Sequence, residues 1–166
     1  MLQRLIDFVL KLEPELRAQG FSRYDERFVT ILPEDNLGLI EFQRSLKGAR
    51  GDFAFTINLG IFVAGLQDGT ARQIGPSQLV SERCHVRRRV GFLLHGRKDK
   101  WWQISPTTDL QSLTLTIQAV LGTAAIPWIR AFSSTSVVLE MWQRGESPGL
   151  TQRQCQSLLE ILKRGN

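Results

Sequence analysis

Read for hydrophobic spacing alone, the chain opens on a helix. Leu2, Leu5, Ile6, Val9, Leu12 and Leu16 recur at the three- and four-residue intervals of one helical face. Pro14 predicts a break or kink in that run, and Gly20 followed by Phe21 predicts its C-terminal cap. The period then shortens to two. Arg27–Leu32, Leu37–Leu46 and Phe53–Val63 alternate apolar and polar positions or are rich in β-branched and aromatic residues, with turn-like PEDN and KGARGD between them. Residues 65–76 have no periodicity and read as a loop. CHVRRRVGFLL (84–94) reads as a fourth strand and KWWQI (100–104) as a short fifth.

From Ser105 the helical period returns. Ser105-Pro106 is a helix start, Thr108 and Gln111 have capping-box spacing, and Leu110, Leu113, Ile117, Val120 and Leu121 form a stripe that Gly122 should stop. Pro127 can open a further short turn. Residues 134–143 read as a helix, although Val137 and Val138 leave a strand open. In the last helix Thr151 and Gln154 form a second capping-box pair, Leu150 can staple onto Cys155, and Cys155, Leu158, Leu159 and Leu162 share a face. One helix, about five strands, then helices is the order of a single α+β domain over residues 1–166: an antiparallel sheet with its N-terminal and C-terminal helices packed on one face.

Alternation also sorts the strand residues by face. Ile40 and Phe42 oppose Glu41, Gln43 and Ser45; Phe53, Phe55, Ile57, Leu59 and Ile61 oppose Thr56, Asn58 and Gly60. In the arginine strand Cys84, Val86, Val90 and Phe92 oppose His85, Arg87 and Arg89. With the apolar sets turned to the helices, the other face collects Gln43, Ser45, Asn58, His85, Arg87 and Arg89. Arg88 is then directed at the core, which requires a bulge, an edge position or a buried carboxylate. In KWWQI, Trp102 shares a side with Ile104 and should be buried. Trp101 should lie beside the polar face, where its ring can stack on Arg89 or Arg97.

Charge singles out the same region. The chain of 166 residues carries a net +5, yet residues 83–100 alone hold seven basic residues against Asp99. The rest of the chain is slightly acidic. So localised a field attracts anionic partners. Composition adds little else: Cys84 and Cys155 read as free buried thiols of a reducing cytosol, and no apolar run approaches the length of a membrane span.

The stretches LIEFQRS, TINLGIF, CHVRRRVG and DKWW, in this order and spacing, resemble a widespread bacterial domain-of-unknown-function family, the one numbered four-three-zero-four. The matching positions are Gly20-Phe21, Phe42-Gln43-Arg44-Ser45, Ile57-Asn58-Leu59-Gly60, Arg87-Arg88-Arg89 and Trp101-Trp102, within roughly residues 1–130. The resemblance implies an α+β fold and a cytosolic bacterial protein. It implies no activity, substrate or catalytic residue.

Function must therefore come from the residues. Phosphate-loop, dinucleotide, nucleophile-elbow and zinc motifs are missing, so neither cofactor nor metal is expected. Solvation alone would explain polar residues on one sheet face. Their identity argues further: Gln, Ser, Asn and His beside arginines are the groups that recognise carboxylates and phosphates. The leading expectation is a non-catalytic binding module for an anionic ligand or acidic protein surface, using Gln43, Ser45, Asn58, His85, Arg87, Arg89 and Trp101. The alternative is nucleic-acid binding by residues 83–100 with a tryptophan as stacking platform. Third comes a hydrolase or nuclease with His85 as acid–base group, its pKa lowered by the neighbouring arginines.

Overall fold

The computed structural model describes residues 2–45, 52–66 and 74–164. Helix α1 (Leu2–Ala18) buries Leu5, Phe8, Val9, Leu12 and Leu16. It continues through Pro14, so of the expected break or kink the break does not occur. Pro14 is on the exposed side, while Leu12 and Leu16 anchor the flanking turns in the core. Gly20 adopts φ +89° and caps the helix as expected, with the Phe21 N–H donating to Leu16 O at 3.0 Å.

The sheet has six antiparallel strands: β1 (Ser22–Tyr24), β2 (Arg27–Ile31), β3 (Leu37–Arg44), β4 (Phe53–Phe62), β5 (Val86–Arg89) and β6 (Trp102–Ile104). They lie in the order β1-β2-β3-β4-β5, and β6 pairs with β4 beyond the end of β5. Strand β1 was not legible because three residues, none fully buried, carry no alternation. Leu46, the KGARGD turn as far as Gly51 and residues 67–73 of the 65–76 loop lie outside the described residues, as does the side chain of Leu162.

Four helices follow: α2 (Leu110–Val120), α3 (Ile126–Ala131), α4 (Thr135–Gln143) and α5 (Gln152–Arg164). The Thr151/Gln154 capping box forms reciprocally, with the Thr151 N–H donating to Gln154 Oε1 at 2.9 Å and the Gln154 N–H to Thr151 Oγ1 at 3.3 Å. The one expected at Thr108 does not. Asp109 is the cap instead, accepting from the Gln111 N–H at 2.9 Å, while Thr108 Oγ1 is occupied by the Ser105 N–H. Gly122 does not stop α2 either. A π-helical turn, Leu121–Ala125, joins α2 to α3 and absorbs Pro127 in the first turn of α3. The continuous helix Leu110–Ala131 is thus, by length and composition, long and apolar enough to cross a bilayer, which the shorter stripe had not suggested. Here it buries Ile117, Leu121, Ala125, Ile126 and Ile129 in the core.

Alternation held along the long strands. Phe53, Phe55, Ile57, Leu59 and Ile61 join Phe28, Ile40 and Phe42 in one cluster with α1 and the C-terminal helices. The opposite face is not simply wet. Val29, Leu37, Leu39 and Phe62 form a second, smaller apolar cluster there, roofed by Leu79 and Cys84.

Candidate functional site

Register builds the second face row by row. Val29, Leu39, Gly60 and Arg87 stand side by side across β2, β3, β4 and β5; the next row is Arg27, Glu41, Asn58 and Arg89. Residues 76–84, two single helical turns joined by Leu79 and Val80, form a roof over the first row. The second row is left at the roof's rim. Gly60 makes the roof possible, because a Cβ at that position would lie 2.3 Å from Cys84 Sγ. Arg27 ties the roof down by donating to Leu79 O at 2.8 Å.

The arginine strand is shorter than its sequence suggests. Only Val86–Arg89 pair with β4; Ser81–Arg83 before them and Val90–Leu93 after them are helical turns. Cys84 therefore crosses to the second face instead of joining Val86 in the main core, and Phe92 is exposed. The register stays unbroken at Leu59–Arg88. Arg88 is on the helix-side face, but on a strand at the end of the row, so it is half-buried with neither bulge nor carboxylate partner among the described residues.

Of the residues singled out by sequence, Gln43, Asn58, Arg87 and Arg89 converge. With Leu59 of β4, Arg88 of β5, and Ser81 and Glu82 from the roof they line a shallow pocket of about 340 Å³. The Asn58 amide donates to Gln43 Oε1 at 2.9 Å and Glu41 Oε2 at 3.3 Å, leaving its own oxygen and the Gln43 NH₂ without a partner among the described residues. Arg87 donates to Gly149 O, in the turn between α4 and α5, and its backbone N–H bonds Pro148 O at 2.9 Å. The close approach needs a glycine: a Cβ on Gly149, whose φ is +84°, would meet Arg87 Cβ at 2.6 Å. Arg89 pairs with Asp99, which also accepts from Trp101 Nε1 at 2.9 Å. Each guanidinium thus commits one of its five N–H donors, and Arg87 Nε is buried without an acceptor.

Trp101 joins the site through Arg89, whose guanidinium is 5.3 Å from its ring centroid. Trp102 is buried and stacks on Phe55 at 5.6 Å, so the alternation of the pair is as expected. Ser45 and His85 are at opposite ends of the sheet, outside the pocket. The Ser45 N–H pairs with Ala54 O at 2.7 Å beyond the end of β3.

His85 has a packing role. Its ring lies 4.9 Å from that of Phe62 and its Nδ1 accepts from the Val63 N–H at 2.9 Å. Burial, rather than the arginines, lowers its pKa to about 4. The unfolded chain, with His85 near the usual 6.5, binds this proton before the folded protein does. The contribution of neutral His85 is accordingly complete above pH 6.5 and lost as pH falls towards 4. Denaturation midpoints measured across that window should drop with one proton's slope, and His85→Asn should remove the slope. An unchanged slope in the variant would place the titration elsewhere.

Sequence reasoning missed the acidic members of the face. Glu41 shares its side with Gln43 by simple alternation, so that signal was present. Ser81 and Glu82 arrive only through the roof, a tertiary event. A second hollow of about 240 Å³ adjoins the first, shares Gln43 and Glu82 with it, and adds Glu26, Arg27 and Glu41. The groove is therefore basic at β5 and acidic at β3. Both cysteines are free and buried, and burial raises both thiol pKa values. Among the described residues no group of three or more His, Cys, Asp or Glu could hold a metal ion.

A family model described as "Domain of unknown function (DUF4304)" matches residues 12–131, a span holding the whole sheet, the roof and the basic segment. The α4–α5 turn that covers Arg87 lies outside it. No curated protein and no solved structure matches the chain.

Proposed function

Because the chain belongs to the DUF4304 family, whose description assigns no activity, we propose from its own residues that it is a non-catalytic binding module that recognises an acidic protein surface at the β5 end of the roofed sheet face. The observation that carries this reading is the state of Arg87 and Arg89. Both guanidinium groups border an open pocket with most of their donors uncommitted. Around them, Arg83, Arg97, Lys98 and Lys100 are exposed, and Asp99 supplies the segment's one negative charge. Paired donors on rigid strands suit bidentate carboxylate recognition.

Fewer observations support the other two readings. For stacking of bases, Trp102 is buried and Arg89 covers one face of half-buried Trp101. An acid–base reaction at the arginines needs His85, whose Nδ1 is occupied by a backbone N–H at the far end of β5.

Affinity purification of the tagged chain from its own cells, wild type beside R87A/R89A, tests the proposal. The wild type should retain a protein partner through an acidic segment, resist nuclease treatment and release it as salt rises. The double variant should lose the partner yet remain folded, since an exposed pair such as Arg89–Asp99 contributes on the order of 0–1 kcal/mol. Recovery of nuclease-sensitive material instead would overturn the reading.

A further inference from the structure

A purely anionic ligand would fit only half of the groove. Its two hollows follow one another across the strands, walled by Val80, Ser81 and Glu82. At the β5 end are Arg87 and Arg89; at the β3 end Glu41 and Glu82 have no cationic partner among the described residues, while Arg27 is engaged by Leu79 O and by Asp25 at 3.5 Å. Between the charged ends stands Asn58, whose amide bonds Gln43 and Glu41 on β3; its own oxygen and the Gln43 NH₂ have no partner among the described residues and offer an acceptor and a donor.

We infer that the groove's occupant is a dipolar extended protein segment, its carboxylate on the Arg87/Arg89 end and a lysine or arginine on the Glu41/Glu82 end. The inference rests on the binding role proposed above and narrows the partner. Arg89 and Glu41 stand two strands apart in the same row, a span of about 10 Å. Side chains of an extended chain share a face at every second residue, about 7 Å apart, and the long arms of Arg89 and of a ligand lysine or arginine cover the remainder. The recognised pattern is then an acidic residue and a basic residue two positions apart, with the main chain between them over Asn58. A like-charged segment would bring a second carboxylate to Glu41, a repulsion that discriminates against it.

Selection of random twelve-residue peptides displayed against the immobilised full chain tests this. Peptides enriched on the wild type should carry the acid-x-base spacing. Measured singly by fluorescence anisotropy, they should bind Glu41→Lys at least tenfold more weakly. Glu41→Gln keeps an acceptor for Asn58 and should give a smaller loss. A second selection on Glu41→Lys should enrich peptides acidic at both positions. Enriched peptides that are acidic throughout and indifferent to Glu41→Lys would overturn the dipolar inference while leaving the acidic-surface reading in place. Peptides that bind R87A/R89A as well as wild type, or no enrichment on the wild type, would overturn both.

Discussion

Phe55→Ala should cost roughly 3–5 kcal/mol of folding stability, the range for emptying a large aromatic site in a packed core. Phe55 is fully buried at the middle of the sheet's helix side. Its ring centroid is 5.2 Å from Phe8, 5.9 Å from Phe42 and 5.6 Å from Trp102, so three further rings would face the void. Trp102 is on a three-residue strand and is the ring best able to collapse inward, which favours the lower half of the range. Asn58→Ala, three residues along β4 on the other face, should cost about 1 kcal/mol, the usual worth of partly exposed hydrogen bonds. Urea denaturation of the two variants at equal m-value is the measurement. A larger loss at Asn58 than at Phe55 would mean that the two faces are interchanged.

Gly60→Ala should destabilise by about 1–3 kcal/mol, the penalty for forcing atoms into filled space. The new methyl would sit 2.3 Å from Cys84 Sγ and 2.8 Å from Cys84 Cβ, short side-chain atoms on a backbone held against the sheet. Relief requires lifting the roof, and with it Ser81 and Glu82 from the pocket rim. Cys84→Ala in the same chain removes the nearer clash, so the double variant should regain part of the loss. Thermal melts of the four proteins of this cycle decide it. Additive losses without recovery would show that the roof is not what Gly60 accommodates.

How far the sequence reaches is clear from these residues. The faces of β3 and β4 were legible because eight- and ten-residue strands repeat their period several times. That put Gln43 and Asn58 on one side correctly, and Arg87 and Arg89 with them. Failures began where periodicity was short or the decisive contact was distant. Three arginines beside Cys-His read as one long strand, whereas helical turns at both ends leave four residues and move His85 out of the site. Helix boundaries failed at Pro14 and Gly122 for a related reason: propensity weighs a residue's local cost, and burial of Leu12, Leu16, Leu121 and Ala125 outweighs it. At Thr108 the hydroxyl expected to cap the helix is taken by Ser105 instead. The acidic half of the groove was hidden because Glu82 meets Glu41 only after residues 76–84 fold back across the sheet.

The turn against Arg87 has a bearing on self-association. Strand β5 is at the end of the sheet, where a second molecule could add a strand of its own. Pro148 already occupies the Arg87 amide, a proline cannot continue a hydrogen-bonded ladder, and β5 ends after four residues carrying three positive charges. The features that shape the candidate site therefore also keep its edge from templating aggregation. Variants that neutralise these arginines would be read most cleanly at low protein concentration, where loss of solubility is not mistaken for loss of fold.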